Sequence, residues 1–188
     1  MSDLIALTAL GAQTPAQDSF DGITLRENPG LALASLAVRR GGQVPAPFGV
    51  VLPGPGGWNA GQGVSAFWIG PDQWMVEAEA RAEEDFAAEL KTLCPACSVT
   101  EQTDGWAAIE ITADSAATIQ SLLERLVNVN AADFGAGSAT RTTLEHMGVY
   151  VIRRAPDHLA ILGMRSLTGS LWHALATVAK RIKTETVT

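Results

Sequence analysis

Between Gly41 and Gly63, twelve of twenty-three residues are glycine or proline. Proline removes a backbone donor and glycine loses more conformational freedom on folding than any other residue, so no regular element is expected to survive that density of breakers. The segment reads as one long loop set early in the chain. Loops of this length inside a compact domain are uncommon, and they tend to be functional or to lie on another surface.

Around that loop the periodicities are clean. Ile23–Glu27 and Leu31–Arg40 read as apolar strands before it. After it, Val64–Ile69 and Gln73–Ala78 read as strands joined at Gly70-Pro71-Asp72, where proline is preset for the first central turn position. A helix is expected from about Ala80 to Leu93, with Phe86, Leu90 and Leu93 on one stripe and Pro95 as its stop. Val99–Thr103 and Trp106–Ala113 flank Asp104-Gly105, a strong two-residue hairpin signal. Asp114 or Ser115 then caps a helix carrying Ile119, Leu122, Leu123 and Leu126 on one side. Beyond a small-residue loop, Thr140–Glu145 is extended, and Val149–Arg154 and Leu159–Gly163 form a hairpin turned at Ala155-Pro156-Asp157. A last helix starts near Ser166 or Thr168 and carries Leu171, Leu175, Val178 and Ile182.

From Gln73 to Glu145 the order is strand, helix, strand, strand, helix, strand, that of a ferredoxin-like split βαβ unit. The two Pro-Asp turns, each opening a strand that precedes a helix, suggest a short internal duplication. The fold class is therefore α+β. Residues 1–22 read as a mobile N-terminal arm, 23–183 as a single domain and 184–188 as a tail.

Charge narrows the partners. Thirteen basic and twenty acidic residues leave a net charge of −7, which argues against nucleic acid and anionic membrane, since both select positive surfaces. No apolar run approaches the roughly 18–20 residues of a spanning helix. The first base is Arg26, so the N-terminus lacks the cationic start of a secretory signal, and the chain reads as cytoplasmic. From Glu77 to Asp114 there are ten acids against Arg81 and Lys91; from Arg141 onward, seven bases face three acids. That asymmetry describes either solvated helix faces, with Lys180, Arg181 and Lys183 complementing a helix C-terminus, or a polar subunit steered onto a partner.

No motif assembles into a catalytic centre. Cys94-Pro-Ala-Cys97 follows a helix C-terminus, where the dipole opposes a thiolate, and two small residues at a turn account for it better than redox chemistry. A zinc site needs four ligands, and His146, His158 and His173 lie at no metal spacing. Gly61-Gln-Gly63-Val-Ser-Ala66 has the form of a dinucleotide fingerprint but leads into a strand, not a helix. Ser166 and His173 would sit about 10 Å apart along the last helix, and no GxSxG elbow exists. Glu83 and Glu84 belong to a charged helix start, and His158, heading a strand after a turn, reads as exposed. Catalytic, cofactor-binding and metal residues are therefore all expected to be absent from this chain.

Five tryptophans against one tyrosine are the more unusual feature. Trp68 and Trp74 flank one turn, Trp58 sits in the breaker loop, and Trp172 lies on the last helix. Trp106 falls, by strand parity, opposite the apolar face of Ala107, Ile109 and Ile111, which makes it a candidate interface anchor.

Ala37-Val-Arg-Arg-Gly-Gly42, Val51-Leu-Pro53, Phe67-Trp-Ile-Gly-Pro-Asp-Gln-Trp74, Val99-Thr-Glu-Gln-Thr-Asp-Gly-Trp106, Arg141-Thr-Thr-Leu-Glu-His146, Met164-Arg-Ser166 and Ser170-Leu-Trp172 occur in that order over roughly residues 30 to 180. Together they resemble the gamma subunit of heterotetrameric sarcosine oxidase. The resemblance implies a complex that oxidatively demethylates sarcosine to glycine, with hydrogen peroxide and formaldehyde or methylenetetrahydrofolate as products. It implies NAD and tetrahydrofolate on an alpha subunit, FAD on a beta subunit, covalent FMN between them and zinc on a delta subunit, with no cofactor in this chain. It further implies a non-catalytic subunit that packs chiefly on alpha, similar in fold to part of the folate-binding aminomethyltransferases. The candidate interface residues are then Trp58, Trp106, Trp172 and Arg165. The alternative is a stand-alone folate-binding or aminomethyltransferase-like protein, which would need a carboxylate in an apolar cleft; Asp104 and Glu110 are its central candidates.

Overall fold

Side chains that alternate along the strands serve two different cores, and the chain resolves into two antiparallel sheets. The computed structural model describes residues 5–182, so Lys183 and the expected tail at 184–188 lie outside the described residues. The elements run β1 (Gln17–Phe20), β2 (Ile23–Asn28), β3 (Ala32–Val38), β4 (Trp58–Ala60), β5 (Val64–Gly70), β6 (Gln73–Ala78), α1 (Phe86–Leu93), β7 (Cys97–Glu101), β8 (Trp106–Ala113), α2 (Ala116–Leu126), β9 (Ser138–Leu144), β10 (Met147–Ala155), β11 (His158–Met164) and α3 (Thr168–Ala179). One sheet is ordered β1-β2-β8-β11-β10-β9, the other β4-β5-β6-β3-β7. No helix among the described residues is long and apolar enough to cross a membrane.

Period two assigns the layers. In β10, Met147, Val149 and Val151 join Leu122, Leu123, Leu171 and Leu175 in a core under α2 and α3. Tyr150 and Ile152 of the same strand face the other sheet, where they meet Phe67 and Met75. In β6, Trp74 and Val76 turn the other way, toward Phe86 and Leu90 of α1. The order across the molecule is helices, sheet, sheet, helix. Asp85 and Ser115 cap α1 and α2 by accepting from Ala88 N and Thr118 N.

The split βαβ element is present once. β6 and β7 each pair antiparallel with β3 between them, so they run parallel to each other, with α1 as their crossover. The six-element order expected as one ferredoxin-like unit is, however, divided between the sheets. β7 closes the edge of one and β8 lies inside the other, so Asp104-Gly105 does not make a hairpin. The physical reason lies in Leu33: its N–H donates to Thr103 Oγ1 at 3.0 Å and its carbonyl accepts from Gln102 N at 2.9 Å. Those bonds hold the chain on β3 until it steps across through a short 3-10 turn at Thr103–Gly105. Both Pro-Asp turns do close hairpins, each with a register shift just before its proline.

Three further expectations are corrected. The helix placed at Ala80–Leu93 begins only at Phe86, because Ala80 is left-handed (φ 57°) and the N–H groups of Arg81 and Ala82 donate to Gly30 O. The N-terminal segment is not all arm: Gln17–Phe20 pairs with β2. The Gly/Pro segment holds a 3-10 turn at Pro47–Gly49 and strand β4. Its course is set by Trp74 Nε1 donating to Pro53 O at 2.7 Å and Asn59 Nδ2 donating to Val51 O at 2.8 Å. A Cβ on Gly57 would stand 2.9 Å from Pro53 Cβ, so the tight turn there excludes side chains. Trp74→Phe should cost about 1 kcal/mol, the net worth of one buried hydrogen bond, and expose the 41–57 segment. Limited proteolysis would show this as faster cleavage within that segment, with the rest of the chain unchanged.

Candidate functional site

Four strands each carry an ionisable residue at a parity that sends it between the sheets. Glu77 shares the face of Met75 on β6, Arg154 that of Tyr150 and Ile152 on β10, Glu110 that of Ala108 on β8, and His158 that of Ala160 on β11. Arg154 forks onto Glu77, with Nη1 to Oε1 at 2.5 Å and Nη2 to Oε2 at 3.1 Å. The same guanidinium reaches Glu110 through Nε to Oε2 at 3.2 Å and Nη2 to Oε1 at 3.3 Å. His158 Nε2 lies 2.8 Å from Glu110 Oε2. Trp58 Nε1 and Ser65 Oγ each donate to Glu77 Oε1 at 2.7 Å, and Arg154 lies 5.6 Å from the Trp58 ring centroid. Glu77 is 1% exposed and Arg154 10%, so this is an ion pair in a dry setting.

Burial pushes the Glu110 carboxyl up, but the hydrogen bond to His158 and the charge of Arg154 outweigh it and hold the group below its ordinary value. Burial likewise works against the Arg154 guanidinium, and Glu77 and Glu110 together push it the other way, further up. Because Glu110 binds its proton more weakly folded than unfolded, its contribution to stability is complete above the unfolded value near 4.5 and lost as pH falls through the lower folded value. Urea unfolding from pH 7 down to pH 3 should therefore show stability falling in that acid window, and Glu110→Gln should flatten that fall.

A second polar cluster lies under the N-terminal segment. Glu27 is 1% exposed and accepts from Leu10 N at 3.0 Å and Ala16 N at 3.2 Å. Arg165 Nη2 donates to Leu7 O at 3.3 Å. Between these ties the segment roofs a cavity of about 350 Å3 walled by Leu31, Leu33 and Trp106, with Asp104 on its wall. A broader cleft of about 660 Å3 adjoins it, lined by Arg26, Glu79, Glu110 and His158.

The residues singled out from sequence divide among these places. Trp106 and Arg165 meet at the roofed cavity; the Trp106 ring stands 5.0 Å from Tyr150, and its Nε1 donates to Gln102 Oε1 at 3.3 Å. Trp58 belongs to the buried ion pair, and Trp172, half-buried on α3, donates from Nε1 to Asp18 Oδ2 at 3.3 Å. Asp104 is exposed, whereas Glu110 is enclosed by Arg154 and His158. His158 is thus engaged and not freely exposed as expected, while His146, His173 and Ser166 lie on the surface. Cys94 and Cys97 are buried free thiols beyond the end of α1, and burial together with the neighbouring thiol pushes Cys94 up against the pull of Lys91. The Gly61-to-Ala66 segment enters β5 and meets no helix. Among the described residues no group of three or more His, Cys, Asp or Glu is placed to hold a metal ion.

Glu77 and Arg154 belong to no motif in the sequence. The available signal was a charged residue at the inward parity of an otherwise apolar strand, as in Gln73-Trp-Met-Val-Glu-Ala78.

No protein-family model matches this chain, and no curated protein matches it in sequence. Solved structures do. A chain of heterotetrameric sarcosine oxidase from Corynebacterium sp. U-96 superposes with a TM-score of 0.70 at 19% identity, covering 91% of this chain and 90% of that one. Glycine cleavage system aminomethyltransferase T from Bartonella henselae superposes with a TM-score of 0.61 at 14% identity. That match covers 86% of this chain and 50% of the transferase, so this chain spans half the transferase's length. The fold is thus shared with both, and the first match comes from the kind of complex whose gamma subunit the sequence blocks resemble.

Proposed function

We propose that this chain is a non-catalytic structural subunit, of gamma type, in a heterotetrameric cytoplasmic sarcosine oxidase. The observation that carries the reading is the end-to-end superposition on a chain of nearly equal length from such a heterotetramer. In this reading the flavins, NAD, tetrahydrofolate and zinc are held by the alpha, beta and delta subunits, and this chain packs chiefly on alpha. Co-expression of the tagged chain with the alpha subunit of its own complex tests it: stoichiometric co-purification is expected. A chain that stays alone beside alpha would end the proposal.

The second reading, a folate-binding or aminomethyl-transferring protein, draws on the likeness to aminomethyltransferase T. The carboxylates fit it poorly. Glu110 already takes Arg154, His158 and Asn28 on its two oxygens, and Asp104, although on the wall of the roofed cavity, is itself exposed to solvent. Calorimetry with tetrahydrofolate on the isolated chain separates the two, micromolar binding favouring the second.

A further inference from the structure

Seven large apolar side chains are exposed among the described residues, and four of them come from two segments that touch. Ile5 and Leu7 are 64% and 52% exposed on the N-terminal segment; Met164 and Leu167 are 53% and 38% exposed at the end of β11 and in the turn that follows. Arg165, between Met164 and Leu167, binds the carbonyl of Leu7, which joins the two segments. Leu7, though exposed, also lines the cavity beneath. Clustered apolar exposure of this kind marks an interaction surface rather than the scatter normal on a protein.

The cavity beside this patch supplies the charge. Glu27, Glu83 and Asp104 line it against a single cation, Arg165. Asp104 and Glu83 are exposed, and Glu27 lies buried, bound by two backbone N–H groups. An excess of carboxylates over cations around an opening suits an incoming group that carries positive charge.

We infer that the face formed by Leu7, Met164 and Leu167 around this acidic cavity docks a partner-subunit segment presenting a lysine or arginine flanked by apolar residues. The inference rests on the structural-subunit reading and adds to it the face used and the chemistry of what covers it. Trp106 and Arg165 lie at this face, and Trp58 and Trp172 do not, so the four interface candidates separate. The cation enters toward Asp104, and the flanking apolar residues cover Leu7 and Met164.

The test is co-purification of the full-length tagged chain with the alpha subunit of its own complex, comparing wild type with Leu7→Glu, Met164→Glu, Asp104→Lys and, as a control on a distant exposed apolar residue, Val51→Glu. All four positions are exposed, so folding is checked by thermal unfolding and not expected to change. The expected result is at least a tenfold loss of retained alpha for each of the first three and none for Val51→Glu. If wild type and all variants retain alpha equally, or if Val51→Glu loses it as strongly as the others, this face is not the docking site, and the structural-subunit reading still stands. If wild type itself retains none, that reading fails and takes this inference with it.

Discussion

Replacing Arg154 with methionine is expected to destabilise the chain by about 3–5 kcal/mol, the usual consequence of leaving buried carboxylates without their cation. For a chain of this size that corresponds to a fall of roughly 6–20 °C in Tm. One guanidinium serves both carboxylates, and Glu77, 1% exposed, has no other cation bound to it among the described residues. Trp58 and Ser65 donate to Glu77 but bring no charge. Glu110 keeps His158, so Glu77 bears most of the loss. The combined variant Arg154→Met, Glu77→Gln, Glu110→Gln should recover much of the stability, because neutral groups cost less to bury than an unpaired ion. Differential scanning calorimetry would decide it, and a loss below about 1 kcal/mol for Arg154→Met would mean that water reaches the pair and screens it.

The second large effect lies a few residues away, in apolar surface. Phe67 is fully buried between the sheets, its ring centroid 5.1 Å from Tyr150, which stands 5.0 Å from Trp106. Phe67→Ala should cost about 3–5 kcal/mol, combining lost transfer energy with the cavity left behind. Because the three rings form one row from the second sheet to the roofed cavity, the loss should also reach Trp106. Its indole N–H resonance is expected to shift in the variant, while that of Trp172, on α3, stays in place. An unmoved Trp106 signal would mean that the aromatic row is not mechanically continuous.

Much of the local structure was legible in the residues. The Pro-Asp turns at 70–72 and 155–157, the Ser115 cap, the α2 stripe and the start of α3 at Thr168 all follow from signals that span a few positions. The site was legible only in part. Glu110 and His158 stand out singly in the sequence, but the pairing of Glu77 with Arg154 joins residues 77 positions apart, and no periodicity reports a partner at that distance. Arg165 was tied to an interface through a short sequence block; its contact with Leu7, 158 positions away, emerges only from the folded chain.

The division follows from the range of the forces. Residue order alone determined most strands and helices and their apolar faces, though not β1, β4 or the start of α1, because turn chemistry, caps and hydrophobic period act over one or two turns of chain. Tertiary structure decided which sheet each strand joins. Asp104-Gly105 favours a hairpin locally, yet β7 completes a ladder with β3 and β8 is flanked by β2 and β11. A turn preference stabilises by a fraction of what whole strand ladders contribute, so pairing with distant strands, and not the dipeptide, set the outcome. The same competition seated the N-terminal segment on Glu27, where a buried carboxylate needed donors that the neighbouring sequence did not supply.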